Sequence, residues 1–483
     1  MKSVRWPCVF LCLSLTALVR PLSLQQSPLT AHPTPALQPG VLLPKIACSS
    51  AREQTYALYL PANYTAAKRW PVVYVFSPDA RGEVPAALAR SAAEEFGYII
   101  AASNNSRNGP WKPEGEAAQA VWNDTHDRLS IDDQRVYFAG FSGGARVAAR
   151  LAQSCKCAQA VFLSGASFPN DAPPTSQDKF GVFLTAGFLD FNYPELVTLD
   201  SQLASLRTPH FLRRFDGSHQ WPPAEIWREA LAFAELLAIT NKHRQPDDAF
   251  AAAQLASFLA TADKFAEDGD AYYSWQYLRA TAEVFTGFTE LAKLQSRIAA
   301  LEKNPAVRAG QKREKEEITE QRALEDAVYK IFGEVNAPNA DRNQVVLETT
   351  QELVRLRDRA TQEKNIEHRR VVERARRGVF AYFLESGEPL MDSSDPRLAR
   401  IYLALAAEAR PESPWPQVSL ARCDLKMGRK KDALRDLQRA VAAGLTASDL
   451  ATLPSDYPEL AAITGDAELQ KLATAASAKA HAP

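Results

Sequence analysis

Residues Arg135 to Leu151 read RVYFAGFSGGARVAARL. Val136 to Ala139 is a short apolar run rich in β-formers, the pattern of a strand buried on both faces. Gly140-Phe141-Ser142-Gly143-Gly144 follows at once, and an alanine-rich segment with helical spacing comes next. A chain that passes from buried strand to helix in so few residues must turn sharply. Glycine at 140 and 144 relieves the crowding between strand and helix, while the turn drives Ser142 toward strained backbone angles. Two roles fit the serine at this point. Its hydroxyl caps the new helix, or it points away from the sheet as a nucleophile, with the Gly143 amide at the positive end of the helix.

On either side of this turn, residues 45–242 alternate strand-like and helix-like segments. Strands are expected at Tyr56–Leu60, Val72–Phe76, Tyr98–Ala102, Ala158–Leu163, Gly181–Thr185 and His210–Phe215. Helices are expected at 85–96, 113–129, 144–153, 193–206 and 222–237. Alternation with short links predicts a mostly parallel, doubly wound α/β sheet.

A serine hydroxyl is a poor nucleophile without a base and an acid to orient that base. In such a sheet both must come from loops at the same strand ends. Asp190 lies just past the strand in GVFLTAGFLDFNYPE, and His219 lies past the next strand in HFLRRFDGSHQWPP. The order Ser142, Asp190, His219 is the one used by α/β-hydrolases. Rivals are weaker: His210 begins its strand, at the opposite rim; His126 falls within a helix; Asp216 shares a strand with the base. Asp171 and Asp178 sit in a loop between strands and stay open as alternatives.

The segments SIDDQRVYFAGFSGGARVAARLA and FDGSHQWPP resemble the α/β-hydrolases. They are most similar to compact secreted esterases of the polyhydroxybutyrate depolymerase, feruloyl esterase and dienelactone hydrolase type. The resemblance covers about residues 45–242. It implies Ser142 as nucleophile, His219 as base, Asp190 as orienting acid, and acyl transfer to water from an ester. It also implies an oxyanion hole made by the Gly143 amide and an amide in SPDARG (Ser77–Gly82), with Asp79 or Ala80 as the second donor. SPDARG departs from the HGGG and HGC patterns of many relatives. Asn104, Asn105 and Arg107 in SNNSRNGPW are candidates for substrate contact; the alternative is a hydrogen-bonded turn. Trp221, close to His219, is a candidate pocket wall; the alternative is that it simply packs. Between Leu163 and Gly181 there is no room for a lid, so an open site is expected unless the helical remainder folds over it. A serine peptidase of the same fold is the nearest alternative activity.

The whole chain has 483 residues, enough for two or three domains. Hydrophobic residues make up 46%, which supplies real cores, and a net charge of −1 argues against a nucleic-acid surface. Lys2 and Arg5 precede an apolar stretch from Pro7 to Val19, too short for a comfortable membrane span. Residues 1–24 therefore read as a signal peptide for export to a periplasm or the exterior, the alternative being an uncleaved anchor, with no other membrane domain. Residues 25–44, with Pro28, Pro33, Pro35, Pro39 and Pro44, read as an extended linker. Cys8 and Cys12 lie within the apolar stretch. Of Cys48, Cys155, Cys157 and Cys423, the pair 155 and 157 looks too close to bridge; a bridge from Cys48 to one of them, or free buried thiols, are the alternatives. No CxxC or HExxH occurs and the seven histidines are scattered, so no metal and no cofactor are expected.

Residues 246–483 read as all-helical. The charge-dense segment 311–327 is expected to be a solvated helix face. Ala399, Leu403 and Ala406 recur as Ala433, Leu437 and Ala440 at a spacing of 34 residues, and Leu420, Ala421 and Gly428 fit the helix and turn between. This resembles the tetratricopeptide repeat, which implies a surface for a protein partner. On that view the hydrolase fold is an inactive scaffold, or the helices bring an enzyme to its partner.

Overall fold

The computed structural model describes residues 37–480 except 289 and 394; the expected signal peptide, Cys8, Cys12 and most of the linker lie outside the described residues. Its first half is an eight-stranded sheet in the order β1-β2-β4-β3-β5-β6-β7-β8. The strands are β1 (Leu42–Ala47), β2 (Thr55–Tyr59), β3 (Trp70–Phe76), β4 (Ile99–Ser103), β5 (Ile131–Phe141), β6 (Ala158–Ser164), β7 (Gly181–Leu189) and β8 (His210–Ser218). The first two pairings are antiparallel and the rest parallel. Strand β1 was not anticipated, and its start at Leu42 overlaps the end of the segment read as linker.

Helices α1 (Glu83–Phe96), α2 (Trp111–Arg128), α3 (Gly143–Cys155), α4 (Tyr193–Leu206) and α5 (Ala224–Thr240) cover both faces. Alternation along β3 shows how. Val73 and Val75 enter one core with α1 and α5, whereas the Tyr74 hydroxyl meets Thr125 of α2 at 2.8 Å on the other face. Between α3 and β6, Cys155 and Cys157 form a disulfide, contrary to expectation. Lys156 adopts a left-handed conformation at φ 54°, which folds the chain back and leaves the two Cα atoms 5.1 Å apart, within bridging range. Cys48 and Cys423 are buried free thiols.

The remainder is helical: α6 (Asp248–Glu267), α7 (Ala271–Val284), α8 (Ala292–Glu302), α9 (Pro305–Phe332), α10 (Arg342–Gln362), α11 (Ile366–Leu390), α12 (Pro396–Ala409), α13 (Trp415–Lys426), α14 (Lys430–Ala442), α15 (Ala447–Asp456), α16 (Ala461–Thr464) and α17 (Ala467–Ala480). Among the described residues no helix is long and apolar enough to cross a membrane. Phe258 of α6 and Leu278 of α7 extend the sheet core that α5 begins. Ala399, Leu403, Ala406, Ala433, Leu437 and Ala440, the positions of the 34-residue match, are all fully buried.

The 311–327 segment is not simply a solvated face. Glu314 and Gln321 are buried, because α9 runs beneath α11 and against the sheet edge. Gly378 permits this approach: a side chain there would meet Glu325 Oε1 at 2.5 Å. Burial pushes the Glu325 carboxyl up to about 7, with the bond donated by Gln321 acting against it. An unfolded glutamate titrates near 4.3, so this group favours the fold below that pH and ceases to as pH rises through about 7. Glu325→Gln is therefore expected to raise the melting temperature at pH 8 and change it little at pH 5, as scanning calorimetry at the two pH values will show.

Candidate active site

Ser142 sits at the turn between β5 and α3 with φ 53° and ψ −123°, angles rare for a residue with a side chain. The neighbouring glycines are what make the turn possible. A Cβ on Gly140 would collide with the Gly144 carbonyl, and one on Gly144 with the Phe76 carbonyl at the end of β3. The turn is anchored by the Ser142 amide, which donates to Ser164 O at 2.8 Å. Ser142 Oγ makes no capping bond to the helix. Of the two roles open in the sequence, the hydroxyl is held for something other than capping.

That partner is His219. Its Nε2 lies 2.8 Å from Ser142 Oγ, and its Nδ1 lies 2.9 Å from Asp190 Oδ1. Three loops, after β5, β7 and β8, thus meet at one rim of the sheet. Asp190 is 1% exposed, and its Oδ1 also accepts from the Asn192 amide at 2.8 Å. The Asn192 side chain donates to Gly165 O at 2.7 Å and ties the acid loop to the end of β6. Phe141 and Phe191 flank the imidazole, with ring centroids 4.6 and 4.2 Å from it. Gly165, at φ 65°, floors the site: a Cβ there would lie 3.0 Å from Asp190 Oδ2 and 3.2 Å from His219 Cε1. Gly165, Phe191 and Asn192 carry no motif that marks them in the sequence.

The rival residues are engaged elsewhere. His210 pairs with Asp200 at 3.4 Å at the opposite rim, His126 stacks on Trp122, and Asp216 is solvent-exposed. Asp171 pairs with Arg150, and Asp178 accepts from the Thr175 amide at 2.7 Å.

The oxyanion candidates separate. The Ala80 amide is consumed by a bond to Ser106 O at 2.8 Å, so Ala80 is not a free donor. It is paired because 78–80 and 106–108 form a short antiparallel bridge, whose other bond runs from Asn108 N to Pro78 O. In that pattern the Asp79 amide faces away from its bridge partner Arg107 and is not consumed. The Asp79 carboxylate accepts from the Ser77 hydroxyl and has Arg81 Nε at 3.8 Å. Asn108, unmarked in the sequence, hangs over Gly143, where a Cβ would run into its Oδ1.

Asn104 and Asn105 make the hydrogen bonds of the turn that the sequence left as the alternative to substrate contact. Asn104 Oδ1 accepts from the Gly82 amide at 3.1 Å and its Nδ2 donates to Pro44 O at 3.0 Å. Asn105 Oδ1 accepts from Thr55 N at 2.7 Å and its Nδ2 donates to Glu53 O at 3.1 Å. Both amides stitch the β4 loop to the strands beside it. Trp221 packs on Phe141 and Trp227, behind the site, and does not line the cleft. Arg107 does line it.

The cleft over Ser142 has a volume of about 1010 Å³, and the helical region forms one side of it. Glu385, Glu388, Met391 and Asp392, from the end of α11 and the turn after it, face Arg107, Arg146 and Arg150 of the sheet side, with Arg422 of α13. The condition left open in the sequence is met: helices fold over the site, which is walled rather than fully open. Burial pushes the Glu385 carboxyl up, against the opposing fields of His219 and Arg146. Arg146 is held by two bonds to Glu195, at 2.8 and 3.1 Å. Among the described residues, no group of three or more His, Cys, Asp and Glu is disposed to hold a metal ion.

The strand order, the sharp Ser142 turn and the loops after β7 and β8 are those of the α/β-hydrolase fold. No family model and no curated protein matches the chain. Among solved structures, a ferulic acid esterase is 18% identical, with 41% of this chain and 96% of that chain covered at a TM-score of 0.34. The fluorophosphonate-binding serine hydrolase F of Staphylococcus aureus is 12% identical, covering 41% and 98% at 0.33. A hyperthermophilic esterase from the archaeon Pyrobaculum calidifontis is 14% identical, covering 41% and 83% at 0.31.

Proposed function

We propose that this protein is an exported serine hydrolase that cleaves carboxylic esters through an acyl-enzyme. The observation that carries the reading is the continuous chain Asp190–His219–Ser142, with bonds of 2.9 and 2.8 Å ending on a serine held at φ 53°. His219 Nε2 takes the hydroxyl proton as Ser142 Oγ attacks the ester carbonyl. Asp190 fixes the proton on Nδ1 and favours the imidazolium that forms. The Gly143 and Asp79 amides hold the oxyanion, each contributing about 3 kcal/mol to the transition state. The alcohol leaves with the proton from His219. Water, deprotonated by the same imidazole, then releases the acid and restores Ser142. The arginines and carboxylates lining the cleft favour a polar, water-soluble ester over a long alkyl chain.

A fluorophosphonate probe tests this reading on the full chain. Covalent labelling at Ser142, absent in Ser142→Ala, is the expected result. Failure of the folded protein to label overturns it and leaves the helical region as a non-catalytic scaffold. Parallel assays with chromogenic esters and aryl-peptide amides separate esterase from peptidase, with the esters expected to turn over faster.

A further inference from the structure

The loop that carries Asp190 is gripped from outside the sheet. Gln321 of α9, fully buried, donates from Nε2 to Phe191 O at 2.8 Å. Arg374 of α11, 1% exposed, donates from Nη1 to Phe188 O at 3.3 Å and is balanced by Glu317 at 3.2 Å. The two carbonyls lie on opposite sides of the acid in sequence. Two residues past Phe191, the Tyr193 hydroxyl donates to Glu314 Oε1 of α9 at 2.6 Å, and that carboxylate pairs with Arg214 of β8 at 3.1 Å. The Arg374 guanidinium also lies over the Tyr193 ring at 4.8 Å, and Gly378 lets α11 come close enough that a Cβ there would be 3.5 Å from Phe191 Cβ.

Buried charges and amides are costly unless their bonds are well made, and what they supply is a defined placement. Here Gln321, Arg374 and Glu314 each place one bond on residues 188–193, while their other bonds go to Glu325, to Glu317, and to Tyr272 and Arg214. We propose that Gln321 and Arg374 are positioning residues of the hydrolytic site, holding the Asp190 carboxylate and the Phe191 ring against His219, so that the helical region is a working part of the active site. This rests on the ester-hydrolase reading above. A displaced loop moves two contacts of His219 together: the Nδ1 bond to Asp190 at 2.9 Å and the Phe191 ring at 4.2 Å.

The test is made on the full chain, with a chromogenic ester as substrate and fluorophosphonate labelling alongside. Gln321→Met keeps the side-chain length and removes the donor. Its expected kcat is roughly 10- to 100-fold below the parent, the cost of a small misplacement, with KM little changed. Arg374→Lys retains one donor and is expected to keep most of the activity that Arg374→Met loses. An unchanged kcat overturns the proposal, as does a loss confined to KM or an Arg374→Lys variant no more active than Arg374→Met. If Gln321→Met melts below the assay temperature, Gln321→Asn, which draws the amide back from Phe191 O, is read by the same kcat and KM criteria. A parent that neither labels nor turns over instead overturns the hydrolase reading.

Discussion

Replacing His219 with alanine is expected to lower kcat on a soluble chromogenic ester by about 10⁴- to 10⁶-fold, with KM nearly unchanged. On the proposed reading the imidazole, 2.8 Å from Ser142 Oγ, is the base, and without it the hydroxyl must lose its proton to water. Asp190→Ala is expected to cost about 10⁴-fold, less than loss of the base, because an unoriented imidazole still accepts a proton in a fraction of its states. The double variant is the sharper measurement. The two residues act as one unit, so His219→Ala/Asp190→Ala is expected to be no slower than His219→Ala alone. Multiplied losses would mean that Asp190 acts on something other than the imidazole. A loss of under about tenfold for His219→Ala removes it from the base role.

The polar character of the cleft bears on which substrate would reveal these losses. Arg146 is pinned by Glu195 and Arg150 by Asp171, while the guanidinium of Arg107 has no ion-pair partner among the described residues. Opposite stand Glu385, with its carboxyl pushed up by burial, and Glu388. A short polar acyl group meets both signs of charge without desolvating either fully, whereas a long alkyl chain would strip water from several ions at once. Short-chain polar esters are accordingly the substrates for the first assays.

What could be read in the sequence was what local chemistry encodes. Strands β3 and β4, buried on both faces, appear as unbroken apolar runs, and the glycines around Ser142 mark a turn that little else allows. Asp190 and His219 were legible because each follows a recognisable strand. Strand β1 was not, since an antiparallel edge strand with partly exposed residues, Pro44 and Lys45 among them, lacks an apolar signature. For Asn104 and Asn105 the choice between substrate contact and a hydrogen-bonded turn is not legible, because a loop at the correct rim carries no mark separating an amide aimed at a ligand from one aimed at Thr55 or Pro44. The cleft wall from α11 and the grip on the acid loop were invisible for a different reason. Glu314, Gln321 and Arg374 belong to charged segments whose local pattern is that of a solvated helix, and only the packing of α9 and α11 on the sheet rim buries them.

Gly140→Ala is expected to damage stability and activity together, and the reason is steric. The added methyl would collide with the carbonyl of Gly144 and the amide of Ala145, both backbone atoms of the first turn of α3. A flexible side chain swings aside from such a contact; a helix start wedged against Phe76 O does not. Relief must come from moving β5 or α3, an overpacking cost of about 3 kcal/mol, so the protein should melt several degrees below the parent. Ser142 sits between the two segments that must part, and its φ of 53° is fixed by them. Even the folded fraction is therefore expected to turn over roughly 100-fold more slowly, because a shift near 1 Å takes Oγ out of line with His219 Nε2. Calorimetry and active-site titration with the fluorophosphonate, run on the same sample, separate the two effects. A variant that melts like the parent and labels at the parental rate would mean that the turn tolerates a side chain at 140, and that the strain at Ser142 does not depend on that glycine.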